Sequence, residues 1–152
     1  MCLFIDEKIH GSNHREMRPF VTQTDIVVNK LLKKDYSYRT DGEEYYAPYR
    51  DTEYVMGKLY KSKLVRDTNL VFEGLHAFYS HRSARSAKSH DFYGEEDISV
   101  FWAVIPKGSK VYLGEPSKEI VSNQLIVYKT KKDLEAVHGV IQPAIPKWVG
   151  LK

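Results

Sequence analysis

His76, the basic trio Arg82, Arg85 and Lys88, and Glu119 are the side chains of this sequence best suited to chemistry. His76 lies in Gly74-Leu75-His76-Ala77-Phe78-Tyr79-Ser80, an alternating strand pattern entered through a glycine. An imidazole titrates near neutrality, so beside a cleft it can act as general base or ligand contact; inside a strand it can equally be a hydrogen-bonded core residue. Arg82, Arg85 and Lys88 recur every third position, a spacing that predicts one basic face on a helix. Such a face holds phosphates, arginine bidentately, or simply solvates the helix. Glu119 precedes Ile120-Val121-Ser122-Asn123-Gln124. A carboxylate at the mouth of a strand, followed by the amides of Asn123 and Gln124, suits a ribose or amide anchor; a surface turn glutamate reads the same way.

The chain has 11 tyrosines, seven of them between Tyr36 and Tyr60. Tyrosine combines a flat apolar ring with a polar tip. The cluster therefore reads either as the half-buried face of a strand region or as a wall for stacking a ligand or partner, with Tyr49 and Tyr54 as the candidate stacking rings. None of the six histidines has a zinc-type spacing with a third ligand. No phosphate-binding loop, nucleophile elbow or dinucleotide fingerprint occurs either, so catalysis has no motif of its own here.

The elements that must position these groups follow from composition and pattern. At 152 residues, with 42% hydrophobic and 28% charged content, the chain predicts one globular domain with a core of its own. A single cysteine excludes an intrachain disulfide, and no apolar run approaches a spanning helix. Both favour a cytoplasmic setting without a membrane. The net charge of +3 attracts anions mildly and is too small for a typical nucleic-acid binder.

Thr24 to Leu32 is rich in β-branched residues and predicts a strand, with a helix as the rival because Ile26, Val27, Lys30 and Leu31 also fit a 3.6 period. Asp35 to Arg50 reads as loop, with Asp41-Gly42 as a turn. Tyr54 to Tyr60 reads as a strand interrupted at Gly57, and Leu75 to Tyr79 as a buried strand. A short helix follows, capped by Ser80 or Ser83, with Ala84, Ala87 and His81 inside. Ile98 to Ile105, apolar on both faces, predicts a central strand. Pro106 to Ser109 is a tight turn into the return strand Lys110 to Leu113, and Ile120 to Tyr128 a bent strand. The expected architecture is α+β: a strongly bent, mixed or antiparallel sheet of six to eight strands with one or two short helices. Residues 1–128 would form one domain and residues 129–152 an irregular tail.

Two resemblances rest on these residues. Met1-Cys2-Leu3, Pro48-Tyr49, Tyr54-Val55-Met56-Gly57-Lys58-Leu59-Tyr60, Gly74-Leu75-His76-Ala77-Phe78 and Ile105-Pro106-Lys107-Gly108-Ser109-Lys110-Val111-Tyr112 resemble, in order, segments of small bacteriophage and prophage proteins of unassigned activity. This implies a phage protein working in the cytosol of a host cell. Gly74 to Phe78 followed by Ser80 to Ser89 looks like the strand and Ser/Ala helix of the ADP-ribosyltransferase superfamily. That likeness implies NAD or a related nucleotide as ligand, with His76 in the place of a tyrosine and Glu119 in the place of the ribose-orienting glutamate; on the first nucleotide-binding strand Asn29 or Lys30 stands where the family has a His-Gly or Arg-Gly pair. The expected function is binding of a nucleotide-like, phosphate-bearing anion, with host defence signalling or degenerate ADP-ribosyl transfer as its use. The alternative is a non-enzymatic inhibitor whose tyrosine-rich surface binds a host or phage protein.

Overall fold

The structure, a computed structural model, describes residues 3–13, 15–37, 42–47, 53–91, 97–114 and 118–141. In chain order the elements are β1 (Leu3–Phe4), α1 (Glu7–His10), β2 (Phe20–Val21), β3 (Ile26–Ser37), β4 (Gly42–Tyr46), β5 (Leu59–Lys61), β6 (Val65–Asp67), β7 (Leu70–Glu73), β8 (Leu75–Phe78), α2 (His81–Asp91), β9 (Ile98–Ile105), β10 (Lys110–Leu113), β11 (Glu119–Ser122), β12 (Gln124–Tyr128) and α3 (Lys131–His138). No helix among the described residues is long and apolar enough to cross a membrane.

The α+β class follows from two periodicities, alternation in the strands and a small-residue stripe in α2. Eight strands run in the order β2-β10-β11-β8-β3-β9-β12-β5, with β4 added on β3; β1, β7 and β6 form a second, three-stranded sheet. Every described pairing is antiparallel. β3 is the spine. Its first two-thirds pair with β9, from Ile26 opposite Ile105 to Lys33 opposite Ile98, and its end pairs with β4. Against β8 it holds only at Asn29 opposite Phe78. Among the described residues, no other pair of neighbouring strands in the large sheet is held at so few positions.

Alternation sorts the side chains onto two faces. The inner face carries the main core, including Ile26, Val28 and Leu32 of β3, Leu75 and Ala77 of β8, Phe101, Ala103 and Ile105 of β9, Ile120 of β11, and Leu125 and Val127 of β12. The outer face has three covers. α2 seats Ala84 on Leu31, Phe78 and Ile98. α3 seats Leu134 on Val104 and Tyr128. The small sheet and the N-terminal segment seat Leu3, Ile5, Met17 and Val71 on Tyr112 and Val121.

Gly74 joins β7 to β8 at φ 155°, and a Cβ there would lie 2.4 Å from Val121 Cγ2 and 2.8 Å from Leu64 Cδ2. Val121 is buried in the small-sheet core and the half-buried Leu64 packs against it, so these side chains must shift to admit a methyl. Gly74→Ala is expected to lower stability by about 1–3 kcal/mol, the range for an overpacked site. The denaturant midpoint should fall with the slope unchanged.

Five expectations are corrected. Tyr54 to Tyr60 is not one strand: Met56 and Gly57 form a turn and β5 begins only at Leu59. β3 runs on to Ser37 and forms a hairpin with β4, where Asp35 to Arg50 reads as loop; the cross-strand pairing continues the two-sided strand past its apolar run. The Pro106–Ser109 turn does not return the chain onto β9, because β10 pairs instead with β11 and β2. Ile120 to Tyr128 is not one bent strand: Asn123 separates β11, beside β8, from β12, beside β9 and β5. Lys131 to His138 is helical, not irregular tail. Thr130 caps it by accepting the Asp133 N–H, and Leu134 gives it an apolar anchor.

Candidate functional site

The register places one row of side chains across five strands of the outer face. Glu119 of β11 pairs with Phe78 of β8, Phe78 with Asn29 of β3, Asn29 with Trp102 of β9, and Trp102 with Tyr128 of β12. His76 lies two residues along β8 from Phe78, on the same face, opposite Val121. Glu119 and His76 are thus diagonal neighbours on adjacent strands, a Cα separation of about 7–8 Å in an ordinary antiparallel pair. His76 sits at the seam between the α2 cover, through Phe78, and the small-sheet cover, through Val121. Both its ring nitrogens are sealed from solvent. Asn29 is 3% exposed, and its Nδ2 has no hydrogen-bond acceptor among the described residues. The result is a carboxylate, an imidazole and a carboxamide around one phenyl ring.

The basic trio does not share a face. Each helical residue turns about 100°, so three residues fall about 60° short of a full turn and six fall about 120° short. Arg82 and Arg85 accordingly point to solvent, while Lys88 slips to the half-buried edge. The stripe against the sheet is His81, Ala84 and Ala87. Only Arg82, in the first turn, stands at the end of α2 that overlies the row.

Asn123 and Gln124 lie at the far end of β11 from Glu119, four and five residues on, or about 13–17 Å along extended chain. Both side chains hold structure there. Asn123 Oδ1 accepts the Lys110 N–H at 2.8 Å, and Gln124 Nε2 donates to Ser109 Oγ at 3.4 Å. Ser109 in turn belongs to a closed network with Thr22 and the Pro106 carbonyl. Tyr54 is on the other face of the sheet from His76. It is buried in the main core with its ring 4.9 Å from that of Tyr60, and burial, with the neighbouring Tyr60 second, pushes its phenol up to about 12. Tyr49 lies outside the described residues.

Two polar groups here escape a reading by motif. Lys30, next to Asn29 on β3, points into the main core. It is 6% exposed, donates from Nζ to the His76 carbonyl at 2.5 Å, and lies 5.2 Å from the Tyr54 ring centroid. The β3–β8 ladder opens just beyond Asn29, and the ammonium takes up a carbonyl that the widening strands leave behind. Burial lowers its pKa to about 8. The signal was in the sequence: adjacent polar residues inside the apolar run Ile26 to Leu32 must bury one side chain on each face of a two-sided strand.

The second is a chain of hydrogen bonds at the end of α3. His138 Nε2 lies 2.6 Å from Tyr128 Oη, and His138 Nδ1 lies 3.3 Å from Asp25 Oδ2. With Nδ1–H facing the carboxylate, Nε2 accepts from the phenol. Burial, and secondly the charge of Asp25, raise the Tyr128 pKa, so the phenol stays protonated. The order Asp-His-Tyr resembles an acid–base relay, but a phenol held neutral is a clasp for α3, not a nucleophile.

No family model matches this chain, and neither a curated protein nor a solved structure is similar to it.

Proposed function

We propose that the chain binds a nucleotide-like anionic ligand on the outer face of β11, β8 and β3, with NAD or a related nucleotide as its class. The observation that supports this is the cross-strand row: Glu119, Phe78 and Asn29 abreast, with His76 beside them. The resemblance to ADP-ribosyltransferases puts Glu119 in the place of the ribose-orienting glutamate and His76 in that of a tyrosine, and these two are diagonal neighbours on β11 and β8. In the proposed complex the Glu119 carboxylate accepts the two hydroxyls of a ribose. The buried Asn29 and the His76 imidazole, whose nitrogens are sealed from solvent, form the floor beside the half-buried Glu119. Asn29 and His76 stand where the resemblance expects other residues, which favours binding over transfer. In a phage, such a protein would sequester a host signalling nucleotide.

The inhibitor reading draws on the tyrosine cluster. Tyr45 and Tyr54 are spent in the main core and Tyr46 and Tyr60 are half-buried, so these four do not form an exposed flat patch.

Thermal melts with NAD, ADP-ribose and cyclic nucleotides test the proposal. A ligand held at about 100 times its dissociation constant adds roughly 2.7 kcal/mol of stability. Glu119→Gln and His76→Ala are expected to abolish the rise, whereas Arg85→Gln, on the solvent side of α2, keeps it. Release of nicotinamide from NAD in the same samples separates transfer from binding. The absence of any shift with all three ligand classes rules the proposal out and leaves the inhibitor reading.

A further inference from the structure

Trp102 is the meeting point of two helix starts. The His81 ring, first residue of α2, stacks on the indole with centroids 5.5 Å apart and planes 13° from parallel. Lys131, first residue of α3, holds its Nζ 5.2 Å from the same indole centroid. From Trp102 the helices diverge. α2 runs toward Ile98, which its cluster contacts, and α3 runs toward Val104 and, at His138, Asp25. Both helix starts therefore lie against the one indole.

The two ends are capped alike. Ser80 accepts the Ser83 N–H with its hydroxyl and the Ala84 N–H with its carbonyl. Thr130 does the same for Asp133 and Leu134. In each helix this leaves the first two amides, of His81 and Arg82 and of Lys131 and Lys132, without an intrahelical acceptor. Each end carries roughly half a positive charge, and Arg82, Lys131 and Lys132 add three whole ones. The acids nearby are Asp133, in the first turn of α3, and Glu135, whose carboxylate lies 4.0 Å from Lys131 Nζ; α2 has none in its first turn.

An unpartnered buried group points into this junction. Asn29 pairs laterally with Phe78, the last residue of β8, and with Trp102, over which α2 begins. Asn29 therefore lies in the outer face next to the residue on which α2 begins. The Asn29 Nδ2 there has no acceptor, and neither does His81 Nδ1 have a partner, among the described residues. A buried amide N–H left unmade costs stability, and an anion is what two helix N-termini, the Asn29 amide and three cations jointly lack.

We propose that the starts of α2 and α3, both seated on Trp102, bind the diphosphate group of a phosphate-bearing ligand. One phosphoryl group sits at each helix start, with Arg82 and Lys131 gripping them and Asn29 donating from below. Lys131 is 57% exposed at its side chain and exchanges its contact with the indole for an ion pair. Apart from Asn29, the residues are not those of the nucleotide proposal, so this site stands whether or not Glu119 binds a ribose.

The probe is inorganic pyrophosphate, with ADP and inorganic phosphate as further arms, against sodium chloride at matched ionic strength. The melting temperature of the full chain is expected to rise with pyrophosphate and to saturate. Arg82→Gln combined with Lys131→Gln, both at exposed positions, should weaken the apparent affinity at least tenfold. Glu119→Gln should leave the pyrophosphate response unchanged, which keeps this proposal separable from the nucleotide one. Asn29→Leu should raise the melting temperature without ligand, by removing the orphaned amide, and abolish the response to pyrophosphate. A response to ADP as well identifies a nucleotide source, and a response to pyrophosphate alone an inorganic one; either supports the site. No saturable rise over chloride overturns the proposal. So does a rise that survives in the double variant, or one that disappears with Glu119→Gln.

Discussion

Raising the pH from 8 to 10 is expected to stabilise this protein by about 2–3 kcal/mol, and Lys30→Met is expected to remove that gain. The unfolded chain keeps the Lys30 proton up to the ordinary pKa of 10.5, while burial makes the folded chain release it at about 8. Between these values the unfolded state binds more protons, so stability rises with pH. Below pH 8 the folded state carries the whole cost of a buried ammonium, about 3 kcal/mol for a shift of this size. Above pH 10 the trend reverses. The Tyr54 phenol, held protonated up to about 12 in the fold, ionises earlier in the unfolded chain. At pH 7 the methionine variant should differ little from the parent. It loses the buried charge, but it leaves the His76 carbonyl without its donor, a loss of about 1–3 kcal/mol in the opposite direction. Urea titrations of both proteins from pH 7 to 10 read the slope directly. Parallel curves would mean that the ammonium reaches solvent in the folded state.

The strands that carry the candidate site were legible because their alternation is strong. Ile98 to Ile105 is central, with partners on both sides, as a strand apolar on both faces requires. The α2 helix, its Ser80 cap and its Ala84–Ala87 inner stripe followed from small-residue spacing alone. Glu119 and His76 share a face of adjacent strands, and both were chosen by residue type. Strand order was not legible, because it depends on which apolar surfaces meet, and similar valine and isoleucine runs can pair in many ways. That is why β10 went to β11, and why Asn29 and Trp102 appear in the row although neither stands in a motif. The Arg82-Arg85-Lys88 spacing misled for a geometric reason: a repeat of three drifts around a helix of 3.6 residues per turn. Asn123 and Gln124 drew attention as polar groups beside a carboxylate, but their amides bind Lys110 at the start of β10 and Ser109 of the preceding turn, contacts set by distant chain.

Leu31→Ala and Leu32→Ala are each expected to lower stability by about 2–5 kcal/mol, the range for emptying a packed leucine site. Adjacent in sequence, the two side chains serve opposite faces of β3. Leu32 is fully buried in the main core. Leu31 is 7% exposed and lies beneath α2 with Phe78, Ala84 and Ile98. In a one-sided sheet the second of two neighbouring leucines would face water, and its truncation would cost only a few tenths of a kcal/mol, as is usual at surface sites. Two large losses therefore report that α2 is firmly docked, and chemical denaturation of the single variants measures them. A Leu31→Ala cost below about 1 kcal/mol, out of line with a packed site, would sink the docking. The consequence reaches the Trp102 junction, because the seat of α2 on Leu31 and Phe78 fixes where its first turn stands over the indole. Leu31→Ala touches neither Trp102 nor either helix start, yet it should weaken the response to pyrophosphate. Leu32→Ala, acting on the other face at a comparable loss of stability, should leave that response intact.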